Sequence, residues 1–209
     1  MIVDLHVHTK PLSPCSDLDP VDSIKEAKKI GLNGICFTEH NRLWDEGDLK
    51  KLKSEYDFPI FRGMEVDTTG GHVLVFGLEK NIEGVIPTEE LRKDVIEAGG
   101  VMIAAHPFRG FLLFGFSNLS LNLDEACERD IFKLVDAIEI YSGKLTDKEN
   151  NFAKRVSKRL NLHGTGGSDA HSLSEVGKCV TIFENDVYDE EDLKNELKEG
   201  RFEGGYLRK

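Results

Sequence analysis

The chain reads as an α/β protein built on a largely parallel sheet with both faces covered, and three observations predict this. Short apolar runs recur along its 209 residues, most are separated by segments with helical period and recognisable ends, and no repeat, low-complexity tract or Pro/Ser-rich linker breaks the alternation. An open doubly wound sheet or a closed barrel would satisfy it equally. The expected strands are MIVDL, GICFT, PIFRGMEV, HVLVFG, VMIAA, DAIEIY and KCVTIF. After the first of them, LDPVDSIKEAKKIG reads as a helix with Asp19 as N-cap, Pro20 at the first helical position, apolar Val21, Ile24 and Ala27, and Gly31 as its stop. TEELRKDVIEAGG spaces Leu91, Val95 and Ala98 on one helical face. TDKENNFAKRVSKRL opens with Thr146 and Glu149 as a capping box and aligns Phe152, Val156 and Leu160. DEEDLKNELKEG pairs Leu193 with Leu197.

Composition narrows the function classes. With 39% hydrophobic and 31% charged residues the chain fits a soluble globular protein, and one domain spanning 1–209 is the simplest organisation. A formal net charge of −11 opposes binding of long duplex nucleic acid. Cys15, Cys36, Cys127 and Cys179 are scattered and form no C-x-x-C pair, which suits reduced thiols better than a disulfide framework or a thiolate zinc site. Asp4, His6 and His8 interrupt the apolar start, and no run of 18 apolar residues occurs. The expectation is therefore a cytoplasmic protein without a membrane partner.

The polar residues carry the functional signal. DLHVHT places His6 and His8 two apart at the end of a strand, and residues i and i+2 share a strand face about 7 Å apart. GICFT runs into Glu39 and His40, PIFRGM into Glu65, VMIAA into His106, and LHGTGG into Asp169 and His171. Five of the seven histidines thus fall at strand C-terminal ends, the edge where barrels and open α/β sheets build their sites. Imidazole and carboxylate gathered in this way make a metal-ligand set. Asp17 is assigned to the same face and Asp19 to the helix cap; His72, at the start of HVLVFG, either caps a hairpin or reaches a cation. Of each adjacent pair only one side chain points inward in an extended chain. His40 is taken as the ligand and Glu39 as an acceptor that fixes a histidine tautomer. Glu139 in EIYSG is either a similar acceptor or a buried group satisfied by backbone. The glycines of TGGSD allow close backbone approach beneath the cluster. His163, ahead of this Gly-rich turn, is read as structural.

DLHVHT, SD, TEH, GMEV, AHP and SDAH, in this order and at these intervals, resemble the PHP (polymerase and histidinol phosphatase) superfamily from Met1 to about Arg201. The resemblance implies a distorted seven-stranded (β/α) TIM-like barrel holding two or three divalent cations and hydrolysing phosphate esters. Carried over by motif, the ligands are His6, His8, Asp17, His40, Glu65, His106, Asp169 and His171, with His72 as an addition. TEH stands where the family usually has TDH, and Leu18 follows SD where Gly is frequent. AHPFRG places Arg109 three residues after His106, similar to the HP-x-R element of members acting on nucleotide-type phosphates. A guanidinium fork suits phosphate, so Arg109 is the expected substrate and catalytic residue; Arg42 and Arg62 are weaker phosphate candidates.

The N/O donor set suits Mn²⁺, Fe²⁺ or Zn²⁺, and Mg²⁺ also fits a carboxylate-rich position. The expected substrate is a small phosphomonoester, nucleotide or cyclic phosphate, with a short oligonucleotide end as a further option. Asp17 or an unligated histidine is the expected proton donor to the leaving group. Amidohydrolase-type metal hydrolysis and a non-catalytic PHP-like binding module are the competing readings. Glu65 and the SDAH pair favour phosphoester chemistry over the former, and the full ligand set argues against the latter. Oligomeric state is left open.

Overall fold

The computed structural model describes residues 1–110 and 122–208. In chain order it contains β1 (Ile2–Val7), α1 (Pro20–Lys29), β2 (Gly34–His40), α2 (Glu46–Tyr56), β3 (Ile60–Thr68), β4 (Gly71–Phe76), α3 (Thr88–Glu97) and β5 (Val101–Ala104). Then follow α4 (Leu123–Cys127), α5 (Ile131–Leu134), β6 (Ala137–Ser142), α6 (Asp147–Leu160), β7 (His163–Gly167), β8 (Cys179–Phe183), α7 (Glu190–Glu199) and β9 (Phe202–Tyr206).

The helix ends follow the local chemistry. Asp19 caps α1 by accepting from the backbone of Val21 and Asp22, and Pro20 occupies the first turn, where its missing N–H costs nothing. Thr146 and Glu149 make the reciprocal capping box of α6. Ile24 and Ala27 of α1 pack with Ile35, Phe37 and Ile60. Leu91 and Val95 of α3 pack with Met64, Val66, Val73 and Met102.

All nine described strands join one sheet, in the order β7-β6-β5-β4-β3-β2-β1-β8-β9. Only β1–β2, β2–β3, β5–β6 and β6–β7 pair in parallel; β4 runs against both its neighbours, as do β8 and β9 against theirs. The expected largely parallel sheet is therefore corrected to a mixed one. The tight turn between β3 and β4 leaves no room for a crossover helix, so β4 must return antiparallel.

The sheet nearly closes. Beyond β7 the chain crosses to β1, where Val7 and Ala170 form a parallel bridge, with His8 N to Ala170 O at 3.0 Å and Ala170 N to His6 O at 3.3 Å. β8 pairs with the opposite end of β1, through Ile2 and Val3. The seven strands β1–β7 thus form the barrel arc, and the β8–β9 hairpin wedges in where β7 and β1 diverge. This is why the strand count is nine instead of the expected seven. The glycines expected as a turn after His163 belong to β7, and the close approach explains them: a Cβ on Gly166 would lie 2.3 Å from the Val180 carbonyl oxygen.

One consequence positions the site. Cys36, Phe61, Leu74, Phe76 and Ile103 form an apolar cluster closed by Leu193 and Leu197 of α7. By the two-residue strand period, Cys36 shares its face with His40, Phe61 with Glu65 and Leu74 with His72. The same faces are thus apolar at one end of the barrel and carry histidines and a carboxylate at the other.

Candidate metal centre

His6 and His8 stand side by side on β1, both fully buried, with their Nε2 atoms 3.0 Å apart. Their Nδ1 atoms face acceptors. His6 Nδ1 lies 3.0 Å from Glu139 Oε1, and His8 Nδ1 lies 3.3 Å from Ser13 Oγ. Ser13 donates its own hydroxyl proton to Glu39, so its oxygen is left to accept from His8. In the neutral rings both protons therefore sit on Nδ1, and two Nε2 lone pairs converge with no donor between them. Such a juxtaposition is repulsive unless a cation or an extra proton occupies the gap. The donor chemistry fits a metal.

Glu65 occupies the centre. Its Oε2 lies 3.5 Å from His6 Nε2, 3.2 Å from His8 Nε2 and 3.2 Å from His40 Nδ1, while its Oε1 lies 2.9 Å from His72 Nδ1 and 2.8 Å from His106 Nε2. Asp169 faces it, with Oδ1 at 3.4 Å from His8 Nε2 and 3.4 Å from His171 Nδ1, and Oδ2 at 3.0 Å from Arg109 Nη1. Among the described residues three overlapping groups bring their donor atoms close enough to hold a metal ion: His8, His40 and His171; His6, His8 and Asp169; His6, Glu65 and His106. Two residues of these groups sit in the left-handed backbone region, His106 at φ 28° and Asp169 at φ 52°. Strain of that kind persists only where surrounding contacts enforce it.

The electrostatics point the same way. Burial disfavours a charged His6 ring, yet Glu139, Glu65 and Asp169 outweigh it and hold its pKa well above the usual histidine range. Burial likewise opposes ionised Glu65 and Asp169, but the imidazoles, His6 foremost, keep both carboxyls well below their usual range. The cluster holds on to positive charge as a metal-binding field does.

The supporting contacts separate Glu139, which the sequence leaves open, from Glu39, which it assigns as a histidine's acceptor. Glu139, fully buried, takes His6 Nδ1 on one oxygen and the His106 backbone N–H at 2.8 Å on the other, tying β1 to the end of β5. Gly167 makes room for it, since a Cβ there would lie 2.5 Å from His6 Cβ and 2.7 Å from Glu139 Oε1. Glu39 touches no histidine directly. It binds Thr9 N, Trp44 Nε1 at 2.8 Å and Ser13, and it orders His8 through the Ser13 hydroxyl. Ser13 and Trp44 carried no periodic or motif signal. Ser13→Ala is expected to weaken metal binding ~10- to 100-fold, the usual scale for an outer hydrogen-bond partner. Ser13→Thr should restore most of the loss. Competition with a fluorescent chelator measures both, and unchanged affinity in the Ala variant would show that His8 needs no hydroxyl.

His72 joins the cluster because β4 is antiparallel: its first residues lie at the same barrel end as the last residues of β3, and His72 pairs with Asp67. Asp17 does not join. It is exposed, its carboxylate belongs to none of the three sets, and its backbone N–H bonds the His171 carbonyl at 3.1 Å. Arg109 is half-exposed and bound to Asp169. Arg42 forks onto Glu83, and Arg62 pairs with Glu79. His163 is exposed at the start of β7, its ring 5.8 Å from that of Phe202.

Comparison with known proteins agrees with this geometry. The PHP domain family model matches residues 4–99, and the PHP-associated model matches residues 147–202. The uncharacterized protein MJ1587 of Methanocaldococcus jannaschii is 32% identical over 117 residues, covering 52% of this chain and 68% of the relative. PsfC from Pseudomonas syringae superposes with a TM-score of 0.65 at 22% identity, covering 98% of this chain and 91% of that one. A two-domain protein from Bacteroides vulgatus, containing a predicted PHP-like metal-dependent phosphoesterase, superposes with a TM-score of 0.69 at 19% identity, covering 99% of this chain and 64% of that one. No described helix is long and apolar enough to cross a membrane.

Proposed function

We propose, from the premise that this chain belongs to the PHP-domain family, that it is a metal-dependent phosphoesterase acting on small phosphate esters. The observation that carries the reading is the approach of the His6 and His8 Nε2 atoms to 3.0 Å, between the carboxylates of Glu65 and Asp169. His6, His8, His40, Glu65, His106, Asp169 and His171 would hold two or three divalent cations, with His72 beside them. The thiol-free donor set supports Mn²⁺, Fe²⁺ or Zn²⁺. Bound there, such cations supply water acidic enough to attack phosphorus near neutral pH and positive charge for the phosphate oxygens.

The chain's own residues do the rest. Glu139 and the Ser13–Glu39 pair hold the imidazoles with Nε2 inward, so the ligands need no reorganisation when the site fills. Arg109 holds a guanidinium against Asp169 at the edge of the cluster, where it is placed to meet a phosphate oxygen outside the metal set. Asp17 is assigned to protonate the leaving oxygen, from an exposed loop whose backbone is tied to His171.

Phosphate release over a metabolite panel tests this, using protein reconstituted separately with Mn²⁺, Fe²⁺, Zn²⁺ and Mg²⁺. Turnover of at least one phosphomonoester is expected. Cleavage of amides without any phosphate release, under every metal, would replace the reading with an amidohydrolase one. Elemental analysis should find at least two divalent ions per chain. At a hundredfold excess of free metal over Kd, each site adds ~2.7 kcal/mol. For a chain of this size that is about 5–10 °C in Tm per site. Chelation should therefore lower Tm by at least that amount, and an unchanged melting curve after verified metal removal would contradict convergence of the ligands.

A further inference from the structure

A cavity of about 270 Å³ opens beside the metal centre. Its walls include His72, His106, Arg109 and Arg129, and the apolar Pro107 and Ile131; among the described residues no carboxylate lines it. Arg129 is the unexplained member. It lies in the turn between α4 and α5, half-buried, with Nη1 donating to the Pro107 carbonyl at 2.9 Å and Nη2 to the Gly70 carbonyl at 3.3 Å. Its guanidinium carbon sits 5.9 Å and 5.7 Å from the ring centroids of Phe108 and Phe132.

Among the described residues Arg129 makes no ion pair, whereas Arg42, Arg62, Arg92 and Arg109 each rest on a carboxylate. Two carbonyl dipoles and two ring faces steady a guanidinium but leave its full positive charge. Burial lowers its pKa and no neighbouring anion offsets this. A desolvated cation without a counter-charge is costly to maintain, and here it borders a cavity that shares two histidines with the catalytic cluster.

We propose that this cavity is the leaving-group subsite, and that it takes a short-chain alcohol bearing a second anion, carboxylate or phosphate, with Arg129 as the specificity-determining residue. The inference rests on the phosphoesterase reading and deepens it by naming the substrate class. With the transferred phosphate at the metal ligands, the alcohol extends past His72 and His106 toward Arg129. Its volume, just below the ~300–1,000 Å³ of pockets for drug-sized ligands, suits a group of a few carbons and its anion. In the reaction water adds to phosphorus, the P–O bond to the alcohol breaks, the alcohol oxygen takes up a proton, and orthophosphate leaves together with the anion-bearing alcohol.

The test compares three size-matched esters on Mn²⁺-loaded protein: 2-hydroxyethyl phosphate, with a neutral leaving alcohol; phosphoglycolate, with a carboxylate; and ethylene glycol bisphosphate, with a second phosphate. The 4-nitrophenyl ester reports phosphoesterase activity itself. At least one anionic ester should exceed the neutral one by about tenfold or more in kcat/KM, the scale of one added charged contact. Whichever of the two leads identifies the anion. Arg129→Gln should collapse that preference to within about threefold, and Arg129→Lys should retain part of it. Equal turnover of all three esters by the native protein, or an equal loss on all three in Arg129→Gln, overturns the inference while 4-nitrophenyl phosphate turnover leaves the phosphoesterase reading standing. If no ester is hydrolysed, 4-nitrophenyl phosphate included, that reading fails and this inference with it. Because Arg129 also ties two loops, circular dichroism accompanies each variant; if Arg129→Gln does not fold, the native preference and Arg129→Lys decide.

Discussion

Glu65→Ala is expected to abolish metal-dependent phosphate release, lowering kcat/KM by at least ~10²-fold, the scale seen when one preorganised electrostatic element is removed from an active site. The magnitude follows from its position. Each of its oxygens serves a different group of imidazoles, Oε2 facing His6, His8 and His40 and Oε1 facing His72 and His106, so one side chain joins five of the cluster's histidines. Without it the group of His6 and His106 loses its carboxylate, and of the two remaining groups only that of His6, His8 and Asp169 contains one. Metal content should fall below that of the native protein, and saturating Mn²⁺ should not restore activity. The stability signature is specific. In chelator the variant should melt within a few degrees of native protein, because His6 can shed its extra proton once a neighbouring carboxylate is gone, avoiding the roughly 3–5 kcal/mol penalty of a stranded buried charge. In Mn²⁺ the variant should lack most of the native gain in Tm. A variant that keeps native metal content and activity would show that Glu65 is a hydrogen-bond acceptor for the histidines and not a ligand.

The parts of this architecture legible in the sequence were those written by short-range rules. The i and i+2 spacing of His6 and His8, and of Asp169 and His171, needs only the strand period, and both pairs meet at the cluster. The caps of α1 and α6 likewise depend on neighbours within four residues. What stayed open or escaped depends on contacts between distant segments. His72 reaches Glu65 only because β4 is antiparallel, and HVLVFG reads the same in either direction. Glu39 and Glu139 were both candidates to fix a histidine, and nothing local distinguishes them. Packing gives Glu139 the direct contact with His6, and leaves Glu39 one hydroxyl away from His8. α2 buries only Leu49 fully, too sparse an apolar face to stand out by periodicity, and β9 carries two glycines in FEGGY that resemble a turn. Asp17 illustrates the converse. The SD motif implied a ligand, but the loop is held by Ser16 Oγ on the His8 carbonyl and by the Asp17 backbone, which leaves the carboxylate exposed.

Arg109→Ala is expected to lower kcat/KM for phosphate esters by ~2 to 5 kcal/mol in transition-state stabilisation, about 30-fold to several thousand-fold, the cost of removing one partner of a desolvated charge pair. The structure sharpens why. Asp169 faces His6, His8 and His171 with Oδ1, while Oδ2 takes Arg109 Nη1 at 3.0 Å and lies 3.8 Å from His106 Nε2, so the arginine sits at the edge of the cluster. A half-exposed guanidinium anchored by one nitrogen retains donors for a phosphate oxygen, and it lines the cavity next to the cluster. Removing it should therefore leave metal stoichiometry at the native value and Tm within a few degrees, since the buried Asp169 keeps His6, His8 and His171 on its other oxygen. Arg109→Lys should recover only part of the activity, because an ammonium keeps the charge but loses the planar fork that can hold Asp169 and a phosphate oxygen together. A KM-dominated loss would assign Arg109 to substrate capture, and a kcat-dominated loss to charge that develops during P–O cleavage. Full activity in the Ala variant across the ester panel would make Arg109 a partner of Asp169 and nothing more, and would leave phosphate recognition to the cations alone.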